Sequence, residues 1–172
     1  MEAAMGPDSI QEERLVRLMD QYEVALLRMC CAYLHDASLA EDAVQETFVK
    51  AYKSFSSFRG ESEEKTWLMR IAINTCKDMR RASWFRYVDR KMTLENIPAP
   101  ICDRTFEQAE LAMDIMQLPR KYLEIVLLFY YQGMTVREIA QALKIPHQTA
   151  SSRLKRAREK LRAALEGGQR NG

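Results

Sequence analysis

Apolar residues recur at helical spacing along almost the whole chain, and the alternating pattern typical of strands is scarce. One apolar stripe, Leu15–Tyr33, predicts a long first helix. Ser38 and Glu41 have the spacing of a capping box, in which two side chains satisfy backbone N–H groups at the start of a helix. The stripe that follows, Val44–Phe55, predicts the second helix, and Glu64–Arg81 predicts the third.

Periodicity disappears beyond the third helix, in a stretch that contains Pro98 and Pro100. We interpret residues 89–105 as a flexible linker between a first domain, 10–88, and a second domain, 106–166. Helical periodicity returns throughout the second domain. The pattern therefore predicts an all-α protein made of two small helical domains.

The second domain ends in a helix-turn-helix pattern. Thr135 and Glu138 form another capping box, and Gly133 just before them is predicted to end the preceding helix. Lys144 begins an interruption that closes with Pro146, a residue suited to the first turn of a new helix. The new helix carries an apolar stripe made of Ala150, Leu154, Ala157 and Leu161.

The net charge of +2 over 172 residues conceals a local separation of charge. Residues 36–64 contain seven acidic and three basic side chains, whereas residues 66–91 contain two acidic and seven basic ones. The segment 101–172 is also basic, with 12 Lys or Arg against 8 Asp or Glu. One domain with an acidic face and a basic face suggests two different partners.

The second helix of the helix-turn-helix has small polar residues near its start, and its charged side chains are almost all positive. This combination is typical of a helix that enters the DNA major groove. The alternative, without a role in DNA binding, is a helical hairpin whose charged face is simply solvated. The candidate residues for duplex contact are His147, Ser151, Ser152, Arg153, Lys155 and Arg156.

The third helix places Trp67, Arg70, Asn74 and Arg81 on one side of a helical net. Trp67 can stack on an unpaired base, Asn74 can pair with a base edge, and the two arginines can hold phosphates. This composition favours binding to unstacked nucleic acid. The alternative is that Trp67 anchors the core and the arginines are merely solvated.

Other chemistries find little support in the sequence. No paired carboxylates, nucleophile–base pair or phosphate loop stands out, so we expect neither an enzyme nor a cofactor. The chain shows no signal peptide and no apolar run of membrane-spanning length, which predicts a cytoplasmic protein. Cysteines without metal-ligand spacing are expected to be small buried side chains: Cys30, Cys31, Cys76 and Cys102.

Three segments of the chain resemble conserved regions of a known family. Ser38–Gly60 and Lys65–Arg81 resemble the second conserved region of bacterial extracytoplasmic-function sigma factors, and Leu118–Arg162 resembles their fourth region. The resemblance implies a specificity subunit of RNA polymerase that binds the core enzyme, recognises a promoter in two parts and helps to open it. It also implies an anti-sigma partner, a protein that is often membrane-anchored in this family, and a regulon that answers stress or envelope signals.

The resemblance assigns roles to individual residues. Asp42, Gln45 and Glu46 would dock on a coiled coil of the largest core subunit. The duplex candidates named above would read the upstream, minus-thirty-five element. The unpaired minus-ten strand would be captured by Phe58, Arg59, Gly60, Trp67, Arg70, Asn74 and Arg81.

Three positions depart from the family pattern. Lys144 stands at a turn where glycine is frequent, Ala150 where bulky aliphatic residues are frequent, and Ser151 where basic residues are frequent. The identity of the upstream bases is therefore left open. Two other classes of protein also remain open: a stand-alone helix-turn-helix regulator, and a helical adaptor bound only by proteins.

Overall fold

The structure is a computed structural model, and it describes residues 6–82 and 106–168. The first domain contains three helices: α1, Pro7–Leu34; α2, Ala37–Ser54; and α3, Glu64–Ala82. A 3-10 turn, Phe55–Ser57, continues from α2 into the loop before α3. Each of the three helices packs against the other two. The predicted linker, 89–105, lies outside the described residues.

The second domain begins with α4, Phe106–Met116, and α5, Arg120–Val126. The chain continues from α5 as a π-helical segment, Leu127–Tyr131. It then forms α6, Val136–Leu143, and α7, His147–Gly168. The described ranges contain no strand, and the all-α class predicted from the sequence is confirmed.

The start of α2 differs from the prediction. The cap is Asp36, which has an extended backbone and accepts a hydrogen bond from the Leu39 N–H (3.0 Å). Ser38 already lies inside the helix, so the capping box predicted for Ser38 and Glu41 is wrong. The reason is local: α1 ends at His35 in a left-handed conformation (φ 59°), and the chain turns straight into α2. An aspartate at this turn caps as well as a serine.

The helix-turn-helix follows its sequence signals closely. The Glu138 N–H donates to Thr135 Oγ1 (3.3 Å), and the Thr135 N–H donates to Glu138 Oε2 (2.6 Å), which confirms the capping box. Gly133 has a φ of 62°, the left-handed geometry expected after a helix end. Helix α7 begins one residue after Pro146, whose carbonyl accepts from the Ala150 N–H (3.1 Å).

Lys144 closes α6 in a left-handed conformation, with φ 53° and ψ 48°. This conformation costs an L-residue about 1–2 kcal/mol, and glycine avoids that cost while losing about 0.5–1 kcal/mol of backbone entropy. Lys144→Gly is therefore expected to raise the free energy of unfolding by about 0.5 kcal/mol. Thermal unfolding followed by circular dichroism measures the change. Lys144→Ala keeps the Cβ and is the control; equal stabilisation by alanine would contradict the explanation.

The two domains share one core. Apolar side chains of α1 and α3 are continuous with those of α5, the π-helical segment and α6. Buried Glu124 accepts a hydrogen bond from the Tyr33 hydroxyl (3.2 Å) and lies 3.3 Å from Lys77 Nζ. Burial, followed by the nearby Glu124 charge, raises the pKa of Tyr33, so the phenol remains a donor. These contacts hold the second domain against α1 and α3.

A second polar contact between the domains surrounds Gln132, which is buried. Its side-chain nitrogen donates to the Ala25 carbonyl (2.9 Å), and its own carbonyl accepts from Lys65 Nζ. Buried amides left without partners cost roughly 1–3 kcal/mol each. Gln132 therefore favours the packed arrangement of the domains as long as both partners stay in place.

Three cysteines lie in the core of the first domain, as the sequence predicts. Cys30, Cys31 and Cys76 are fully buried, and the Sγ atoms of Cys30 and Cys76 are 3.5 Å apart. The hydrogen bond with Cys76 and burial raise the pKa of Cys30, and burial above all raises that of Cys31 to about 11. Protonated buried thiols behave as small apolar side chains. Cys102 lies outside the described residues.

Candidate nucleic-acid interface

Helix α7 is divided into a packed side and a solvent side. Ala150, Leu154 and Ala157 are buried against the rest of the domain, while the opposite side is open. The solvent side carries the residues predicted to contact duplex DNA. Arg153 is half-buried, and the others are exposed: His147, Ser151, Ser152, Lys155 and Arg156. The structure therefore brings the predicted duplex-reading residues together on one surface.

Hydrogen bonds and charge hold parts of this surface in place. The Ser152 hydroxyl donates to the Gln148 carbonyl one turn earlier (2.8 Å). Burial acts to raise the pKa of Tyr122, but the hydrogen bond and charge of Arg156, together with Lys121, outweigh it and lower the pKa. Arg156 is exposed and its charge acts on Tyr122 of the neighbouring helix α5.

Helix α3 presents the second candidate surface. Asn74 and Arg81 are exposed, and Trp67 is half-buried on the same side of the helix. Trp67 stands at one edge of an aromatic cluster: its ring centroid is 4.9 Å from that of Phe58 and 5.8 Å from that of Phe55. Trp67 therefore serves partly as a core anchor, because its ring packs against the core while the residue remains partly exposed.

The loop before α3 folds towards this cluster. Phe58 lies half-buried against Trp67, whereas Arg59 and Gly60 are exposed. Gly60 has a φ of 71°, a conformation that favours glycine. The glycine allows the chain to turn sharply and return to α3 with Phe58 facing the tryptophan.

Arg70 is the one predicted strand-binding residue that the structure directs elsewhere. Its Nη2 donates to the Gln141 carbonyl in the last turn of α6, at 2.8 Å. Carbonyls at a helix C-terminus carry partial negative charge, which suits a guanidinium group. Arg70 therefore links the first domain to the helix-turn-helix in this arrangement.

The acidic surface predicted on α2 is formed as a continuous face. Asp42, Gln45 and Glu46 are all exposed, and the exposed apolar Val49 lies beside them at helical spacing. Glu46 Oε1 is 3.5 Å from Lys50 Nζ, a surface ion pair of small energetic value. An acidic face around an exposed valine is suited to docking on a basic protein surface.

The structure also brings in two residues that no sequence pattern singled out. Arg14, on α1, lies over the aromatic cluster, and Glu64, at the start of α3, binds it. The two are 50 residues apart, so periodicity does not connect them. The sequence feature that could have drawn attention to Arg14 is its pairing with Arg17 on a helix whose start is otherwise acidic.

Fold and surfaces together define an all-helical protein of two domains, the second of the helix-turn-helix class. Within residues 6–82 and 106–168, every helix is too short or too polar to span a bilayer. The family model for Sigma-70 region 2 matches residues 18–86, and the one for Sigma-70, region 4 matches residues 109–161.

Known relatives cover nearly the whole chain. The RNA polymerase sigma-H factor of Pseudomonas aeruginosa is 33% identical over 163 residues, which span 87% of this chain and 84% of that protein. The ECF RNA polymerase sigma factor SigL of Mycobacterium tuberculosis is 30% identical, over 90% of this chain and 91% of that protein. The chain belongs to the extracytoplasmic-function family of RNA polymerase sigma factors. This family is not a family of enzymes.

Solved structures share the fold. CnrH in complex with the cytosolic domain of CnrY has a TM-score of 0.70 and 25% identity, covering 93% of this chain and 92% of that one. The sigma factor RpoE of Bartonella quintana, in complex with the anti-sigma factor NepR, has a TM-score of 0.68 and 24% identity, covering 87% and 97%. The arrangement of two helical domains is thus that of solved relatives.

Proposed function

We propose that this sigma factor divides promoter recognition between α7, which reads the upstream duplex element, and the exposed side of α3, which captures the minus-ten strand. The observation that carries the proposal is the clustering of the predicted contacts on two separate solvent-facing surfaces. The protein acts in the cytoplasm and supplies no catalysis of its own. Footprinting of the holoenzyme on a promoter tests the division, because each surface should protect its own element.

Helix α7 would enter the major groove with its first three turns. Ser151 and Ser152 are small enough to permit close approach, and Lys155 and Arg156 supply positive charge to bases and phosphates. Phosphate contacts position the helix, whereas contacts with base edges select the sequence. Ser151 offers a hydroxyl where the family frequently has a basic side chain, so fewer charged contacts would contribute to upstream recognition.

Arg156→Ala is expected to weaken upstream binding about tenfold or more, because a well-placed arginine contributes roughly 1–3 kcal/mol of recognition. Protection of the upstream element by the holoenzyme is the measurement. Arg162→Ala is the control, since it removes the same charge about 9 Å further along the helix. Equal effects of the two variants would indicate that only net charge matters.

Strand capture by α3 would require the strands to be separated. Unstacking a base costs a few kcal/mol, and stacking on Trp67 would return about 1–3 kcal/mol per base. Asn74 would contact the base edge, and Arg81 and Arg59 would hold the backbone. Arg70 has to exchange the Gln141 carbonyl for a phosphate, so we propose that capture accompanies separation of α3 from α6.

The acidic face of α2 would bind the core enzyme. Asp42, Gln45 and Glu46 project from one side of α2, away from the side that packs on α1 and α3. Charged faces accelerate and orient docking more than they add to affinity. A stand-alone regulator would have no use for this face, which supports the sigma-factor function over that alternative.

We also propose an anti-sigma partner for a groove that both domains line. Exposed apolar side chains of α1, α4, the π-helical segment and α7 border a groove of about 900 Å³. These side chains are Val24, Leu111, Tyr130 and Leu165. Among the residues whose side chains the structure describes, three arginines and no carboxylate line it, the arginines being Arg28, Arg158 and Arg162. An amphipathic helix with acidic residues is complementary to such a groove.

Leu165→Asp is expected to reduce the affinity for the anti-sigma partner at least tenfold, because a carboxylate would replace an apolar contact in the groove. Calorimetric titration with the partner measures this change. Ile10→Asp is the matched control, since Ile10 is an apolar residue of α1 that is at least as exposed as Leu165 but lies outside the groove. Loss of binding in both variants would contradict the assignment.

A further inference from the structure

Arg14 forms a cationic centre within the aromatic cluster of the first domain. Its guanidinium carbon lies 4.6 Å from the ring centroid of Phe55, 5.1 Å from that of Phe58 and 5.9 Å from that of Trp67. These distances are in the range of cation–π interactions. Three aromatic rings and one guanidinium group thus converge at the junction of α1, the Phe58 loop and α3.

Glu64 fixes Arg14 in this position. Glu64 Oε1 accepts from Arg14 Nε at 2.6 Å, and Glu64 Oε2 lies 2.8 Å from Nη2 of Arg17. Partial burial acts to raise the pKa of Glu64, but the hydrogen bonds and charges of the two arginines outweigh it and lower the pKa. The carboxylate is therefore ionised at neutral pH. Because two arginines surround one carboxylate, the cluster retains a net positive charge.

The guanidinium group of Arg14 has capacity left for a ligand. Within the described residues its hydrogen bond is made by Nε, and the side chain is 26% exposed. The two terminal nitrogens form the fork that binds phosphate oxygens in a bidentate manner. Arg17 differs: its side chain is 56% exposed, and no cation–π contact joins it to the rings in the described structure.

A nucleotide offers the two chemistries that this cluster matches, an aromatic base and a phosphate. We infer that Arg14 is a further contact of the captured minus-ten strand, holding the phosphate of a nucleotide whose base stacks at the Phe58–Trp67 pair. The inference rests on the proposed function of the α3 surface. It extends the strand-binding surface to α1 and explains why an arginine is held over aromatic rings by a carboxylate.

The dependence of DNA affinity on salt concentration separates a phosphate contact by Arg14 from a purely structural role. Full-length protein with core polymerase is titrated with forked promoter DNA whose minus-ten segment is single-stranded, over a range of salt concentrations. Arg14→Gln should weaken binding about tenfold, because a charged hydrogen-bonded contact is lost. It should also reduce the slope of log affinity against log salt by about 0.7, the value for one single-strand phosphate contact.

Two matched variants sharpen the test. Arg14→Lys keeps the charge and should restore the salt slope, with affinity within about threefold of wild type, since lysine binds phosphate as a point charge. Arg17→Gln removes the same charge outside the ring cluster and should change affinity less than twofold. An unchanged salt slope in Arg14→Gln overturns the inference, as does equal weakening on duplex DNA carrying only the upstream element.

Trp67→Ala in the same titration distinguishes a failure of the Arg14 contact from a failure of the whole strand-binding surface. If Trp67→Ala weakens binding to forked DNA and Arg14→Gln does not, the α3 surface stands and only the role of Arg14 is refuted. If Trp67→Ala binds as wild type does, the proposed strand-reading surface itself fails, and Arg14 fails with it. Thermal unfolding of each variant identifies any loss that comes from misfolding.

Discussion

Trp67→Ala is expected to reduce open-complex formation by about 5- to 150-fold while core binding stays unchanged. The range corresponds to the loss of one stacked base, about 1–3 kcal/mol. The ring packs against Phe58 and Phe55, and the residue remains partly exposed, so it is placed to stack. Permanganate reactivity of unpaired thymines in the minus-ten region measures the melted fraction directly.

The half-buried position of Trp67 requires a stability control. Removing the ring takes one packing partner from Phe55 and from Phe58, and we expect a loss of roughly 2 kcal/mol in the free energy of unfolding, less than for a fully buried aromatic. Trp67→Phe keeps an aromatic face and most of the packing, so it should retain melting within a few-fold of wild type. Equal melting by the alanine variant and wild type would contradict the stacking role.

Glu46→Lys is expected to lower affinity for core polymerase about 30-fold. The substitution reverses one charge in the centre of the acidic α2 face, and like charges across an interface cost several kcal/mol. It also removes the local ion pair with Lys50, which is exposed and contributes little. Titration of labelled protein with core enzyme measures the affinity, and raising the salt concentration should narrow the difference between variant and wild type.

Glu23→Lys makes the same charge change on an exposed position of α1, outside the acidic face. It should leave core affinity within about twofold of wild type. A 30-fold loss in both variants would mean that net charge, and not the α2 face, governs docking. No loss in Glu46→Lys would remove α2 from the core-binding surface.

Local signals predicted most of the secondary structure. The capping box of Thr135 and Glu138 and the left-handed Gly133 each depend on residues a few positions apart, so periodicity and capping rules suffice. The start of α2 was predicted wrongly because two good caps, Asp36 and Ser38, lie within three residues, and the abrupt end of α1 selects the earlier one.

Contacts between distant residues were beyond the reach of sequence patterns. Arg14 meets Glu64 across 50 residues, and Arg70 meets the Gln141 carbonyl across 71. The periodicity of α3 identifies a polar side but does not tell which of its arginines faces solvent and which faces the second domain. The packing of the two domains also depends on the buried partners of Glu124, which are distant in sequence.

Transcription reconstituted from purified components tests the central claim most directly. Core RNA polymerase, incubated with genomic DNA fragments and this protein, should start transcripts at discrete sites that share an upstream and a minus-ten element. Glu46→Lys and Trp67→Ala should each abolish most of these transcripts. If core polymerase yields the same transcripts with and without the protein, while the protein alone protects duplex DNA, the chain is a stand-alone regulator and the account is contradicted.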